Sequence, residues 1–372
     1  VGVTRTRGRH WLASLVVLVL VGSACGGGGG ATSAAPSSAA SSAAPTAAAT
    51  AAATVKPLRA IKVNGGGAKI ADSAIIIAEA EGFFTQAGFK PEYVDFSGPQ
   101  SVPLLASGAL DVSSGQVSAA LFNAWNQGLR MRIVADKGSF RPGSPGFCGL
   151  AIRKDLYDSG KIRDWKDLKG AKLGGSAIDG GVTGLRLQDE LSPYGFTAKD
   201  VTYTVLTFPD TLAALTGGSI DAGVFCEPFL ARSVLTGAAG AAVSSSDTDP
   251  GTRQVAVLFY SEKFAADKEA ATDFMVAYLR GARMFQQAFF GGDAALRTRV
   301  SAILLKAGTA KSQAELEKIR MPYLDPDGKI DVRSLQLQQD YAVQSGLVQK
   351  SVDVAQIVDQ SFTEAAVKRL PK

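Results

Sequence analysis

One α/β pattern occurs twice in this chain. The first copy runs from Ser97 to Gln116. It holds a loop (Ser97-Gly98-Pro99-Gln100), a short apolar helix candidate (Val102 to Ala106), the corner Gly108-Ala109-Leu110-Asp111, a strand and a second loop, Ser114-Gly115-Gln116. The second copy opens at Phe208-Pro209-Asp210. It passes through Leu212 to Leu215, Gly218-Ser219-Ile220-Asp221, a strand and Cys226-Glu227-Pro228. The two Gly-x-aliphatic-Asp corners lie 110 residues apart, and Gly88-Phe89 returns as Gly195-Phe196 at an offset of 107. A period of that size makes the repeated unit a whole lobe. A cleft between two lobes then becomes the natural place for function.

The order of elements supports this. Strands are expected from Ile61, over Pro91 to Phe96, Asp111 to Ser113 and Arg132 to Ala135, alternating with helices over Ser73 to Phe83 and Val117 to Trp125. Ser73 is the expected N-cap of its helix. Gly138 to Gly146 reads as loop, and Phe147 to Arg153 as the strand crossing into the second lobe. There Lys172 to Gly174, Thr202 to Leu206 and Ala222 to Phe225 are strands, Ser176 to Thr183 is a Gly-containing loop, and Leu185 to Leu191 is a helix. Ala238 to Asp249 is small and turn-rich, Val255 to Tyr260 is the returning strand, and the remainder is mostly helical. Strand–helix alternation of this kind builds a parallel sheet covered on both faces, with ligands at the carboxyl ends of the strands. Gly65-Gly66-Gly67 is not a phosphate loop, because no Gly-Lys-Ser/Thr follows it.

Residues 1–25 read as a secretory leader: Arg5, Arg7 and Arg9, an apolar run from Trp11 to Val21, then Gly22-Ser23-Ala24 before Cys25. The run is too short to span a bilayer, which takes about 20 residues. Residues 26–56 form a low-complexity Gly/Ala/Ser/Thr/Pro tether that cannot bury enough surface to offset chain entropy. The three leader arginines account for most of the formal charge of +5, leaving +2. That balance excludes nucleic acid as an expected partner. His10, the single histidine, also lies in the leader. The working chain therefore has no Ser-His or Cys-His pair and no imidazole metal site; no cofactor is expected.

Glu81-Gly82-Phe83-Phe84, Leu105 to Asp111, Trp165 to Gly170, Leu212 to Asp221 and Glu227-Pro228 together resemble the substrate-binding proteins of ABC importers. Pro322 to Gly328 and Tyr341 to Gly346 add to the likeness, which spans roughly 57–365. Within that family the chain is similar to the nitrate/sulfonate/taurine and thiamine-pyrimidine-precursor group. The resemblance implies an α/β type II periplasmic-binding-protein fold: two Rossmann-like lobes joined by two crossing strands. The expected divisions are 57–146 for the first part of lobe 1, 147–250 for lobe 2, and 251–372 for the return to lobe 1 and the C-terminal helices. Small residues before Cys25 resemble a lipobox, with Gly22 where such boxes usually carry Leu. The implied protein is monomeric, lipid-anchored outside the cytoplasm, not an enzyme, and hands a small-molecule ligand to a membrane permease and its ATPase.

Helix N-termini at such a cleft offer amide donors suited to nitrate, sulfonate or carboxylate. The loop positions expected to meet ligand are Ser73, Ser97, Gly98, Gln100, Gln116, Ser176, Gly180, Gly181 and Thr183. Asp72, Asp179 and Glu227 also fall in cleft loops. They argue against a bare small anion and for a ligand with an amine or ring nitrogen, such as a taurine-like or pyrimidine compound; capping and ion pairing are their other roles. Phe140 and Phe208 are either apolar walls or ordinary core. Cys148 and Cys226 are either bridged or two buried thiols, and a bridge follows if their strands are antiparallel neighbours. Two alternatives are a pyrimidine-synthesising enzyme of the same fold, whose family chemistry relies on histidine, and a ligand sensor for a membrane kinase.

Overall fold

A computed structural model describes residues 57–66, 69–94, 96, 98–141, 144, 146–176, 181–244 and 252–371. The leader with Cys25 and the tether lie outside the described residues, as do Ser97, Asp179 and Gly180. In chain order the strands are β1 (Arg59–Asn64), β2 (Phe89–Val94), β3 (Val112–Gly115), β4 (Met131–Phe140) and β5 (Cys148–Arg153). They continue with β6 (Lys172–Gly175), β7 (Thr202–Val205), β8 (Ala222–Cys226), β9 (Ala239–Ser244) and β10 (Arg253–Ser261).

These strands make two five-stranded sheets with one topology: β2-β1-β3-β10-β4 and β7-β6-β8-β5-β9. In each sheet the first three strands are parallel, and the fourth runs antiparallel to its neighbours on both sides. The chain passes from the first sheet to the second between β4 and β5, and returns between β9 and β10. This is a mixed α/β architecture of two lobes, as the resemblance implies.

The repeated corner is the same structure twice. Asp111 accepts the Lys62 amide at 2.9 Å and donates its own amide to the Lys62 carbonyl at 3.2 Å. Asp221 does the same with Lys172, at 2.9 and 2.7 Å. Gly108 and Gly218, which open the corners, have φ of +69° and +73°, a region glycine enters without steric cost. A short carboxylate there closes a parallel strand pair where the backbone alone cannot.

Lobe 1 has the larger core. The helix Lys268–Phe289 buries one face from Ala271 to Ala288 against the helix Ser73–Ala80. Gly281 permits this approach, since a Cβ there would collide with the Ala74 carbonyl. Lobe 2 closes around Leu150, Ile152, Trp165, Leu173, Leu187 and Leu191, with a second cluster under Phe225 and Leu230.

Three local expectations are corrected. The Ala-rich stretch from 239 is a strand, not turns: it pairs with β5 along its backbone, and Gly240 lets the Tyr157 ring lie flat against it. β4 continues through Gly138 to Phe140, where a loop was expected; Gly138 at φ +144° carries the strand through a bulge opposite Gln254 and Ala256. Ser73 is not an N-cap. It is the first residue of its helix, and its buried hydroxyl donates to the Ile70 carbonyl at 2.6 Å.

Candidate functional site

Between the lobes lies a cleft whose walls come from both sheets. Gln116, Phe140 and Val255 face it from lobe 1, and Ser176, Thr183, Arg186, Phe208 and the two cysteines face it from lobe 2. Its topology explains the convergence: most of these residues sit at strand ends or in the first turns of the helices that follow them. Cys148 and Cys226 are direct register partners on antiparallel β5 and β8, and they form a disulfide in the cleft wall. Phe140 packs on Phe147 with ring centroids 5.1 Å apart. Ser176 and Thr183 hydroxyls approach to 3.4 Å.

Arg186 dominates the electrostatics. It lies on the helix Val182–Leu191, is 7% exposed, and its guanidinium stacks over the Phe140 ring at 4.0 Å. Nη2 donates to Glu190, one helical turn on, at 3.0 Å. Nη1 is buried with no hydrogen-bond partner among the described residues. Burial lowers the guanidinium pKa to about 10, opposed by the Glu190 carboxylate, so the group stays cationic at neutral pH. A buried cation nitrogen without an acceptor carries a desolvation cost of about 1–3 kcal/mol or more, which an acidic ligand oxygen would relieve. Asp189, the residue before Glu190, pairs with Arg253 of β10 at 3.2 Å and so ties this helix to the first sheet.

Of the loop positions expected from sequence, Gln116, Phe140, Ser176, Thr183 and Phe208 line this cleft. Asp72 does not. Its carboxylate is 1% exposed and accepts Lys137 Nζ at 2.5 Å and Ser114 Oγ at 3.0 Å. Glu227 is buried as well: it accepts the Ala231 amide at 3.0 Å and the Arg320 amide at 3.2 Å. Desolvation pushes its carboxyl up to about 7, against the pull of those two donors. Both acids are consumed by the fold, so neither argues for an amine on the ligand. Ser73 is fully buried beneath the helix it begins, and Gln100 is on the exposed side of the helix that Gly98 opens. Gly181 is the N-cap of the arginine's helix and packs against the Val117 carbonyl of lobe 1. Two further residues that line the cleft, Arg186 and Trp165, were not singled out as site residues from the sequence. The signal was present in Leu185-Arg186-Leu187, a charge set between two core positions with Glu190 four residues later.

Among the described residues no cluster of His, Cys, Asp or Glu is arranged to hold a metal ion, and no helix is long and apolar enough to cross a membrane.

A family model described as NMT1/THI5 like matches residues 71–288. No curated protein matches the chain by sequence. Among solved structures, the periplasmic aliphatic sulphonate binding protein SsuA from Escherichia coli is similar with a TM-score of 0.62 at 18% identity, over 81% of this chain and 92% of its own. The periplasmic nitrate-binding protein NrtA from Synechocystis PCC 6803 aligns with a TM-score of 0.64 at 15% identity, over 84% and 89%. The desulfurization enzyme DSZB has the same fold, with a TM-score of 0.59 at 15% identity over 83% and 99%.

Proposed function

The chain belongs to the NMT1/THI5-like family, and from that premise we propose that it is an extracytoplasmic solute-binding protein of an ABC importer. It closes its two lobes on a small acidic solute and presents the closed form to a membrane permease. The observation that carries this reading is the unpartnered Nη1 of Arg186, buried at the junction of the lobes and stacked on Phe140. A solute oxygen that meets Arg186 from lobe 2 while touching Gln116 or Phe140 from lobe 1 binds the closed form better than the open one. Differential affinity of that kind is what shifts a hinge equilibrium. The sulfonate- and nitrate-binding neighbours support a solute with acceptor oxygens. The leader, the tether and a lipid on Cys25 belong to the same proposal, as the means of holding the protein at the outer face of the cell membrane.

Binding is tested by calorimetry and thermal shift against methanesulfonate, taurine, acetate and nitrate. At least one is expected to bind and to raise the melting temperature. Replacing Arg186 and Glu190 together by Gln removes the ion pair without stranding either charge, and should weaken binding about 100-fold. Glu190→Gln alone keeps the guanidinium and should keep binding. If no small solute binds the wild type, the importer reading fails.

A further inference from the structure

We propose that Trp165 is a ligand-binding residue: its indole N–H donates to a second oxygen of the acidic group held by Arg186. This rests on the solute-binding reading above. Trp165 starts a single 3-10 turn, Trp165–Asp167, which is fixed at both ends by a capping box. Asp164 accepts the Trp165 amide at 2.7 Å, and Asp167 accepts the Asp164 amide at 3.2 Å. The ring is wedged in the lobe 2 core with Leu187 and Leu191 and is 4% exposed. It therefore has no freedom to turn its N–H to water. Yet the residue lines the interlobe cleft beside Arg186, Leu187 and Glu190, and Nε1 is buried with no partner among the described residues.

Buried tryptophans ordinarily find an acceptor. Two unpartnered donors, one indole and one guanidinium, on neighbouring elements around one cleft point to a shared acceptor supplied by the solute. Arginine usually meets an acidic group through two parallel N–H bonds. Here Nη2 is anchored on Glu190 while Nη1 and the Trp165 Nε1 are the buried donors without partners, so they are the pair best placed to divide the solute's oxygens. The chemical class selected is a compact oxyanion with two or more acceptor oxygens, such as a sulfonate, sulfinate or carboxylate, oriented by lobe 2 before the lobes close.

The test replaces Trp165 in the full chain by β-(3-benzothienyl)alanine, which keeps the bicyclic ring and its packing and exchanges only the N–H for sulfur. Methanesulfonate and acetate are the probes. Affinity for whichever binds the wild type should fall about 10-fold, as for loss of one hydrogen bond to a charged group. The melting temperature of the ligand-free protein should hold or rise, because the deleted donor has no partner to lose. The Trp165 indole resonance, assigned by its disappearance in the variant, should move on titration. Unchanged affinity would mean that a water satisfies the N–H, and it overturns the proposal. A fall in ligand-free stability overturns it too, since the N–H would then be structural. If the wild type binds neither probe nor any other small solute, the importer reading fails and this inference falls with it. Binding by the wild type with no effect of the substitution breaks the inference alone.

Discussion

Each lobe buries one ion pair, and the two pairs do opposite jobs. In lobe 1 Lys137 and Asp72 are 4% and 1% exposed in their side chains, and Ser114 adds a further donor to the carboxylate. The lysine has one polar atom, and it is engaged. In lobe 2 Arg186 and Glu190 are 8% and 1% exposed, but the guanidinium has a nitrogen left over. The charge count is the same; the number of donors is not. The lysine's one nitrogen sits on Asp72, the N-cap of the helix Ser73–Ala80, and so ties β4 to that helix. An arginine paired through one nitrogen is anchored by its acid and still able to bind. The two pairs thus differ in that only the arginine keeps a polar atom without a partner, and only the arginine's pair lines the cleft.

The largest expected effect breaks the lobe 1 pair. Lys137→Met leaves the Asp72 carboxylate buried without its cation, which should cost about 3–5 kcal/mol of stability in a denaturant titration. Lys137→Met combined with Asp72→Leu should recover most of that, as a hydrophobic replacement of the whole pair often does. Ligand affinity of the folded fraction should be unchanged in both. A loss of affinity with intact stability would place Asp72 or Lys137 in the binding machinery and erase the contrast between lobes.

Next in size is a pH effect with its source in lobe 2. The Glu227 carboxyl is raised from 4.5 to about 7 by burial, with Arg320 and Glu315 the charged groups that act on it. Between those values the folded chain holds a proton that the unfolded chain has lost, so stability falls as pH rises through that window. In lobe 1, burial raises Asp136 from 3.8 to about 6, with the same sign at lower pH. Glu227→Gln should therefore remove most of the loss between pH 6 and 7, at most about 1.4 kcal/mol for one proton over one pH unit, and leave a slope below pH 6 from Asp136. Chemical denaturation at each half unit of pH measures it. A slope unchanged by the substitution would show that Glu227 does not hold that proton.

Much of the frame was legible because it is local or repeated. The Asp111 and Asp221 corners need only a left-handed glycine, an aliphatic residue and a short acid, so their pattern survives in the sequence, 110 positions apart. The disulfide was half legible: an even pair was visible, but the register that sets Cys148 opposite Cys226 is a property of the sheet. The acids were misread because their partners are remote. Lys137 lies 65 positions from Asp72, and the Arg320 amide 93 from Glu227. A loop acid whose partner arrives from another element looks unspent in sequence. Arg186 suffered the reverse error. With Glu190 four residues on, it resembles a solvated helix pair, and only its burial between Leu185 and Leu187 shows otherwise.

The smallest expected effects come where the lobes touch, and they separate two glycines of one helix. Gly181 has φ of −98°, open to any residue, so alanine there brings no backbone strain. An added Cβ would, however, collide with the Val117 carbonyl, a backbone atom of the opposite lobe. Gly184 meets the Tyr341 ring instead, with an added Cβ 2.7 Å from Cε1. A ring can turn aside where a carbonyl fixed by its chain cannot, and alanine within a helix gains about 0.5–1 kcal/mol over glycine. Gly181→Ala should hold the lobes apart, weakening solute binding about 10-fold and enlarging the radius of gyration of the solute-saturated protein in X-ray scattering. Gly184→Ala should change affinity by no more than about 3-fold, because the helix propensity offsets the displaced ring. Equal effects would mean that the helix moves as a rigid body against a yielding lobe 1. No effect from Gly181→Ala would mean that the solute is captured without this contact, and lobe 2 alone, through Arg186 and its neighbours, would then account for affinity.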